Sequence, residues 1–122
     1  MQSYVIRFTD EGLDDVKALP KNNRNHLRKA ILERLARDPI SCSDELKPPL
    51  EKYRSCHIGD YRVIFYVAED IRSLAIAGIG KHSRDAAQDV YKKLESLVSQ
   101  GKLAAKILAT LRGFSPRKTP EK

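Results

Sequence analysis

The chain predicts an α+β fold: a small twisted antiparallel sheet, two N-terminal helices packed on one face, and a C-terminal helical extension. Three observations carry this. Residues 61–67, Tyr-Arg-Val-Ile-Phe-Tyr-Val, are dense in β-branched and aromatic side chains, as a strand requires. Gly59-Asp60 lies between that run and an earlier β-rich run and reads as a tight hairpin turn, because glycine tolerates positive φ. On either side of this meander, apolar residues recur at helical rather than alternating spacing. The resulting order is β-α-α-β-β-β-α plus an extension, which suits a sheet with helices on one face and an open groove on the other.

Residues 3–8 read as the first strand. Thr9-Asp10 can cap a short helix, with Glu11, Asp14 and Asp15 near its positive end. Leu13, Val16 and Leu19 fall at helical spacing there, and Pro20 closes the segment. A second helix is expected from about Asn22 to Arg37, with Leu27, Ile31 and Leu35 as its buried stripe. Arg24, Arg28, Arg34 and Arg37 spread over the rest as a solubilising surface, and His26 joins them. Asp38-Pro39 ends the helix. Residues 38–50, with three prolines, read as a loop. Tyr53 to Ile58 and Tyr61 to Val67 form the hairpin, Glu69-Asp70 marks a second turn, and Leu74 to Ile79 supplies the last strand. Ser83 can cap the next helix, which runs to about Ser99 on a stripe of Val90, Leu94, Leu97 and Val98. Gly101 breaks it. Leu103, Ile107, Leu108 and Leu111 suggest one more helix, and residues 113–122 carry little that could pack. Residues 1–100 are therefore expected as the domain and 101–122 as a basic helical extension and tail.

With 122 residues there is room for one domain with one core. No apolar run approaches the ~20 residues of a membrane span, and no export signal precedes the first strand. Cys42 and Cys56 lack metal-ligand spacing and are expected as free thiols in a cytoplasmic protein. The net charge is +7. Residues 102–122 hold six Lys/Arg and one acid, a net of +5, which leaves +2 for residues 1–101. The basicity thus belongs mainly to the extension and does not by itself make the core a nucleic-acid binder.

Alternation sorts the hairpin. Tyr61, Val63, Phe65 and Val67 share an apolar face, and Arg62, Ile64 and Tyr66 share the other. If the turn is a two-residue loop, His57 lies directly across from Arg62, with Cβ atoms about 5 Å apart. Arg62 is then either a solvated residue whose stem an aromatic covers or a cation with a function.

The phrase Tyr53-Arg54…Gly59-Asp-Tyr-Arg-Val-Ile-Phe-Tyr-Val67, the apolar strand ending in Gly78-Ile-Gly-Lys-His-Ser83, and the later Asp89-Val-Tyr91 together resemble the RelE/ParE superfamily of toxins from type II toxin–antitoxin pairs. The resemblance spans roughly residues 3–97. It implies that the first strand lies at a sheet edge beside the meander. It also implies, for the RelE-like branch, metal-free cutting of messenger RNA on the ribosome by attack of the ribose 2′-hydroxyl. Such chemistry needs a base, a cation for the phosphoryl oxygens and an acid for the leaving oxygen. By resemblance, Arg62 matches the arginine of the YR motif, and its guanidinium can hold a phosphate at two points. His82 falls where relatives carry arginine or histidine, and its imidazole can move a proton near neutrality. Tyr91 matches a late tyrosine. Arg54, Lys47, Lys52, Lys81 and Arg84 are carried as RNA contacts. Implied partners are a cognate antitoxin, the ribosome and message, with no membrane, metal or small-molecule cofactor.

The sequence departs from the family pattern in two places. More residues separate His82 from Tyr91 than in the short family motif, which sets Tyr91 back along its helix. The strand before the turn is one residue longer than usual, so Arg54 and His57 are rivals for the place opposite Arg62. Alternation favours His57, whereas a β-bulge would favour Arg54. His82 and Tyr91 also have plain structural readings, as a strand-end residue and as a packing residue. Two other functions share this sequence pattern: a ParE-like inhibitor of DNA gyrase and a non-catalytic binding module.

Overall fold

The computed structural model describes residues 3–82 and 89–113. Five strands form one sheet in the order β1-β5-β4-β3-β2: β1 (Val5–Phe8), β2 (Asp44–Glu45), β3 (Arg54–Ile58), β4 (Tyr61–Ala68) and β5 (Ser73–Lys81). β1 runs parallel to β5, and all other neighbours are antiparallel. The first strand therefore lies at a sheet edge, as expected, and a two-residue strand emerges from the stretch read as loop. The hairpin turn has Gly59 at φ 60°, and Ile58 opposite Tyr61.

The N-terminal helices are α1 (Asp10–Lys17) and α2 (Lys21–Ala30). Thr9 caps α1 by accepting from the Gly12 N–H at 3.0 Å. α2 continues through a π-helical turn, Ile31–Leu35, with the Ala36 N–H donating to the Ile31 carbonyl at 3.2 Å. Leu27, Ile31 and Leu35 are buried, as their spacing predicts. They pack on the face that carries Val63, Phe65, Leu74 and Ile76. Each such burial contributes roughly 1.5–3 kcal/mol before conformational entropy is counted.

α1 also shields the part of β5 that extends past β1. The Thr9 hydroxyl donates to the Ile76 and Ala77 carbonyls, each at 3.3 Å. The Ile79 N–H donates to Asp15 Oδ2 at 2.9 Å. Asp15 lies within reach of Lys93, 3.8 Å away. Burial nevertheless raises its carboxyl pKa above the ordinary 3.8, with the Ile79 hydrogen bond and the Lys93 charge opposing that shift. Gly12 makes this close approach possible, since a Cβ there would lie 2.4 Å from the Ile76 oxygen.

The opposite face differs from the open groove that was expected. Two further helices, α3 (Val90–Ser99) and α4 (Leu103–Leu111), cover much of it. Val90, Leu94, Leu103 and Ile107 bury themselves against Ile64, Ala75, Ala77 and Tyr53, making a second core. α3 begins at Val90, because its cap, Asp89, has extended φ/ψ; the expected start at Ser83 lies outside the described residues. α4 is packed into the fold through Leu103 and Ile107, while Leu108 remains 49 % exposed.

One irregularity controls which side chains share a face. Ile64 pairs with Gly78, but Phe65 pairs with Ile76, so Ala77 is an extra residue in β5. Strict alternation would separate Ile79 from Leu74 and Ile76. With the bulge, all three lie in the α2-side core. Gly78 and Gly80 consequently stand on the α3 side, opposite Ile64 and Arg62. A Cβ at Gly80 would come within 3.2 Å of Val90 Cβ, so these glycines let α3 approach the sheet closely. Among the described residues, no helix is long and apolar enough to cross a membrane.

Candidate functional site

The end of the sheet beyond the second core gathers the functional candidates. His57 and Arg62 are direct cross-strand partners, and Arg62 also pairs with Gly80 of β5. Both belong to the α3-side face, because β3 and β4 alternate regularly through the turn. Among the described residues, half-buried Arg62 has no hydrogen-bonding or ion-pairing partner. His57 is exposed, and its backbone oxygen accepts from Arg34 Nη1 at 3.3 Å. Two residues before His57, Ser55 turns its hydroxyl to the same face and meets the Tyr91 hydroxyl at 3.0 Å.

Tyr91 lies in the first turn of α3. The longer spacing from His82 does not separate the two: their rings pack edge to face with centroids 5.2 Å apart and an interplanar angle of 84°. His82 Nδ1 lies 2.6 Å from Asp89 Oδ1, and the histidine side chain is 62 % exposed against 2 % for the aspartate. Asp89 Oδ2 accepts from the Lys92 N–H at 3.0 Å, the N-cap bond of α3. A single buried carboxylate therefore starts the helix that carries Tyr91 and holds the ring beside it.

Arg54 is placed elsewhere. It pairs with Phe65 and lies on the α2 side, where its guanidinium donates to Ser43 Oγ at 2.7 Å, the Ser43 carbonyl at 3.0 Å and the Ile40 carbonyl at 3.3 Å. Glu45 lies 3.7 Å from it. These bonds tie the segment before β3 to the sheet, so of the two rivals it is His57 that faces Arg62. Lys81 pairs with Tyr61 and rests its ammonium 5.7 Å from that ring, again away from Arg62. Lys47 is exposed in the proline loop. Lys52 lines a separate cleft of 450 Å³ with Tyr66, Leu108 and Leu111, toward the far end of β4. Arg84 lies outside the described residues.

Sequence reasoning missed two members of this cluster. Asp89 carries a signal, since aspartate just before a helix is a favoured cap, but Ser83 competed for that role. Ser55 follows from alternation with His57 once the register is fixed. Among the described residues, no group of three or more His, Cys, Asp or Glu side chains could hold a metal ion. The assembled groups are a guanidinium without a partner among the described residues, two imidazoles and a phenol hydroxyl on a serine hydroxyl. They can bind an anion and move protons next to it.

Comparison with known proteins places this architecture. The fold is similar to a chain of the RelBE2 toxin–antitoxin complex of Mycobacterium tuberculosis, with TM-score 0.62 and 22% identity over 65% of this chain and 98% of that one. It is similar to the isolated Escherichia coli RelE toxin, with TM-score 0.56 and 18% identity over 78% and 98% of the two chains. The YoeB/ParE toxin of Agrobacterium tumefaciens matches with TM-score 0.54 and 15% identity over 65% and 99%. At these identities the likeness establishes the fold alone. No curated protein matches. The family model for the ParE toxin of the type II toxin–antitoxin system parDE matches residues 6–86, from β1 past the end of β5 and well over half of the sequence. The chain therefore belongs to the ParE toxin family, within the RelE/ParE superfamily, and is a toxin of a type II toxin–antitoxin system.

Proposed function

We propose that this toxin is a ribosome-dependent endoribonuclease that cuts messenger RNA in the cytoplasm and is held inactive by a cognate antitoxin. The observation that carries this reading is the Arg62 guanidinium beside His57, unpaired among the described residues, on the sheet face where His82 and Tyr91 meet. Arg62 binds the phosphoryl oxygens of the scissile linkage and stabilises the charge that grows on them. His82 and Tyr91 serve the proton transfers, and His57 adds a second imidazole across from the arginine. The ribose 2′-hydroxyl supplies the nucleophile, so the reaction runs without a metal ion. Lys47, Lys52 and Lys81 lie apart from Arg62 and add long-range attraction for the RNA rather than contacts at the scissile linkage. The basic C-terminal segment assists electrostatically, although Lys106 is already engaged by Glu11 at 2.8 Å. An antitoxin as partner is supported by the RelBE complexes that share the fold.

A second reading is supported by the ParE family match: inhibition of DNA gyrase, with the same cluster serving only structure. Cleavage of ribosome-bound message and inhibition of gyrase supercoiling, measured side by side, distinguish them. For the ribonuclease, Arg62→Ala lowers the cleavage rate by about 10²–10³ while antitoxin binding persists. Arg62→Lys restores little, because the ammonium lacks the guanidinium fork. Cleavage and toxicity at the parental level in Arg62→Ala would falsify the ribonuclease reading.

A further inference from the structure

We propose that Asp89 is a positioning residue that fixes the His82 imidazole in its Nδ1–H tautomer, leaving Nε2 as the nitrogen that works on the substrate. The part concerning substrate rests on the ribonuclease reading above; the tautomer does not.

The geometry selects the tautomer. A neutral imidazole has one donor and one acceptor nitrogen, and an ionised carboxylate only accepts. Asp89 Oδ1 lies 2.6 Å from Nδ1, so that nitrogen carries the hydrogen. The carboxylate is fixed in turn: its side chain is 2 % exposed, and Oδ2 is committed to the Lys92 N–H at 3.0 Å. Tyr91 packs its ring edge to face against the imidazole and limits its rotation. The ring is thus anchored through Nδ1 while the side chain remains 62 % exposed. In the neutral ring, Nε2 offers its lone pair outward.

In the reaction, Nε2 takes the proton of the 2′-hydroxyl as that oxygen bonds to phosphorus. The bond from phosphorus to the 5′-oxygen breaks, and the leaving oxygen keeps the electron pair and takes a proton from the Tyr91 hydroxyl, whose phenolate regains one from water. The hydroxide so formed removes the proton from the imidazolium, which returns the ring to its starting tautomer. Asp89 remains ionised throughout, holding the ring's orientation and favouring the imidazolium that forms.

Asp89→Asn separates positioning from capping. The asparagine oxygen can still accept from Lys92, since asparagine is as good a cap as aspartate. Its NH₂ group then faces Nδ1, which must become the acceptor, and the proton moves to Nε2. Nitrogen-15 NMR of the neutral ring in the full chain, without RNA, should show Nδ1–H in the parent and Nε2–H in Asp89→Asn. Cleavage of ribosome-bound message should fall by about 10²–10⁴, in kcat rather than KM. Asp89→Ser keeps a capping oxygen but cannot reach the ring, so it should give mixed tautomers and a smaller loss. Nε2–H in the parent, an unchanged tautomer in Asp89→Asn, or parental cleavage in that folded variant would overturn the proposal. If the tautomer inverts as expected but the parent cuts no message, the positioning role stands and the ribonuclease reading falls.

Discussion

Arg54 and His57 are three residues apart on one strand and have opposite fates. Arg54 is engaged by a serine hydroxyl and two carbonyls on the α2 side, while His57 stands exposed across from Arg62. Alternation from the turn was enough to separate them, because the Gly59-Asp60 loop fixes the register locally. Nothing local reports what a buried acid experiences. Asp15 is acidic surface by composition, yet it is mostly buried against the Ile79 N–H, and its carboxyl is raised above 3.8 chiefly by burial. The sign of the linkage follows. Between 3.8 and its raised folded-state value, the folded protein holds this proton more tightly than the unfolded chain does. Its contribution to stability is therefore present in acid and lost as pH rises through that window. Asp15→Asn keeps an oxygen acceptor for Ile79 and removes the titration. Urea unfolding of the parent and Asp15→Asn at about pH 3.5 and pH 7 should show the variant gaining relative stability at the higher pH; an equal difference at both would assign Asp15 no such role.

At the scale of elements, the strands and the N-terminal helices were legible because their periodicities differ and their stops are proline, glycine and capping residues. The Ala77 bulge was not. Residues 74–79 read as ordinary alternation, and only the helices packed on both faces decide where the extra residue goes. That bulge turns the end of β5 over, so Gly80 stands on Arg62's side and His82 comes within reach of α3. Two helices that press on β5 depend on glycine. α1 needs Gly12, where an added Cβ meets the Ile76 carbonyl oxygen at 2.4 Å. Because the obstacle is backbone within the sheet, Gly12→Ala must displace the helix and weaken the Thr9 and Asp15 bonds. The expected cost is about 3 kcal/mol in chemical denaturation, at the upper end of overpacking effects. A loss below about 0.5 kcal/mol, as for an ordinary surface change, would mean that α1 yields freely.

Over the whole molecule, one sheet serves two cores, and the site occupies the end that neither covers. Helix periodicity predicted α4, but composition drew attention to its charge and hid its packing. Leu103 and Ile107 are 1 % and 5 % exposed beneath it. Ile107→Ala should cost about 2–5 kcal/mol in equilibrium unfolding, whereas a helix that merely carried charge would tolerate it. The sheet also ends in a particular way. The outermost strands, β1 and β2, have four and two residues. Where β5 runs past β1, Asp15 takes the Ile79 N–H, and where β3 runs past β2, Arg34 takes the His57 carbonyl. Backbone groups that would otherwise recruit a foreign strand are thus occupied by side chains of opposite charge. Edge-to-edge stacking of copies is disfavoured, which helps a basic toxin remain dispersed at the moment its partner is removed.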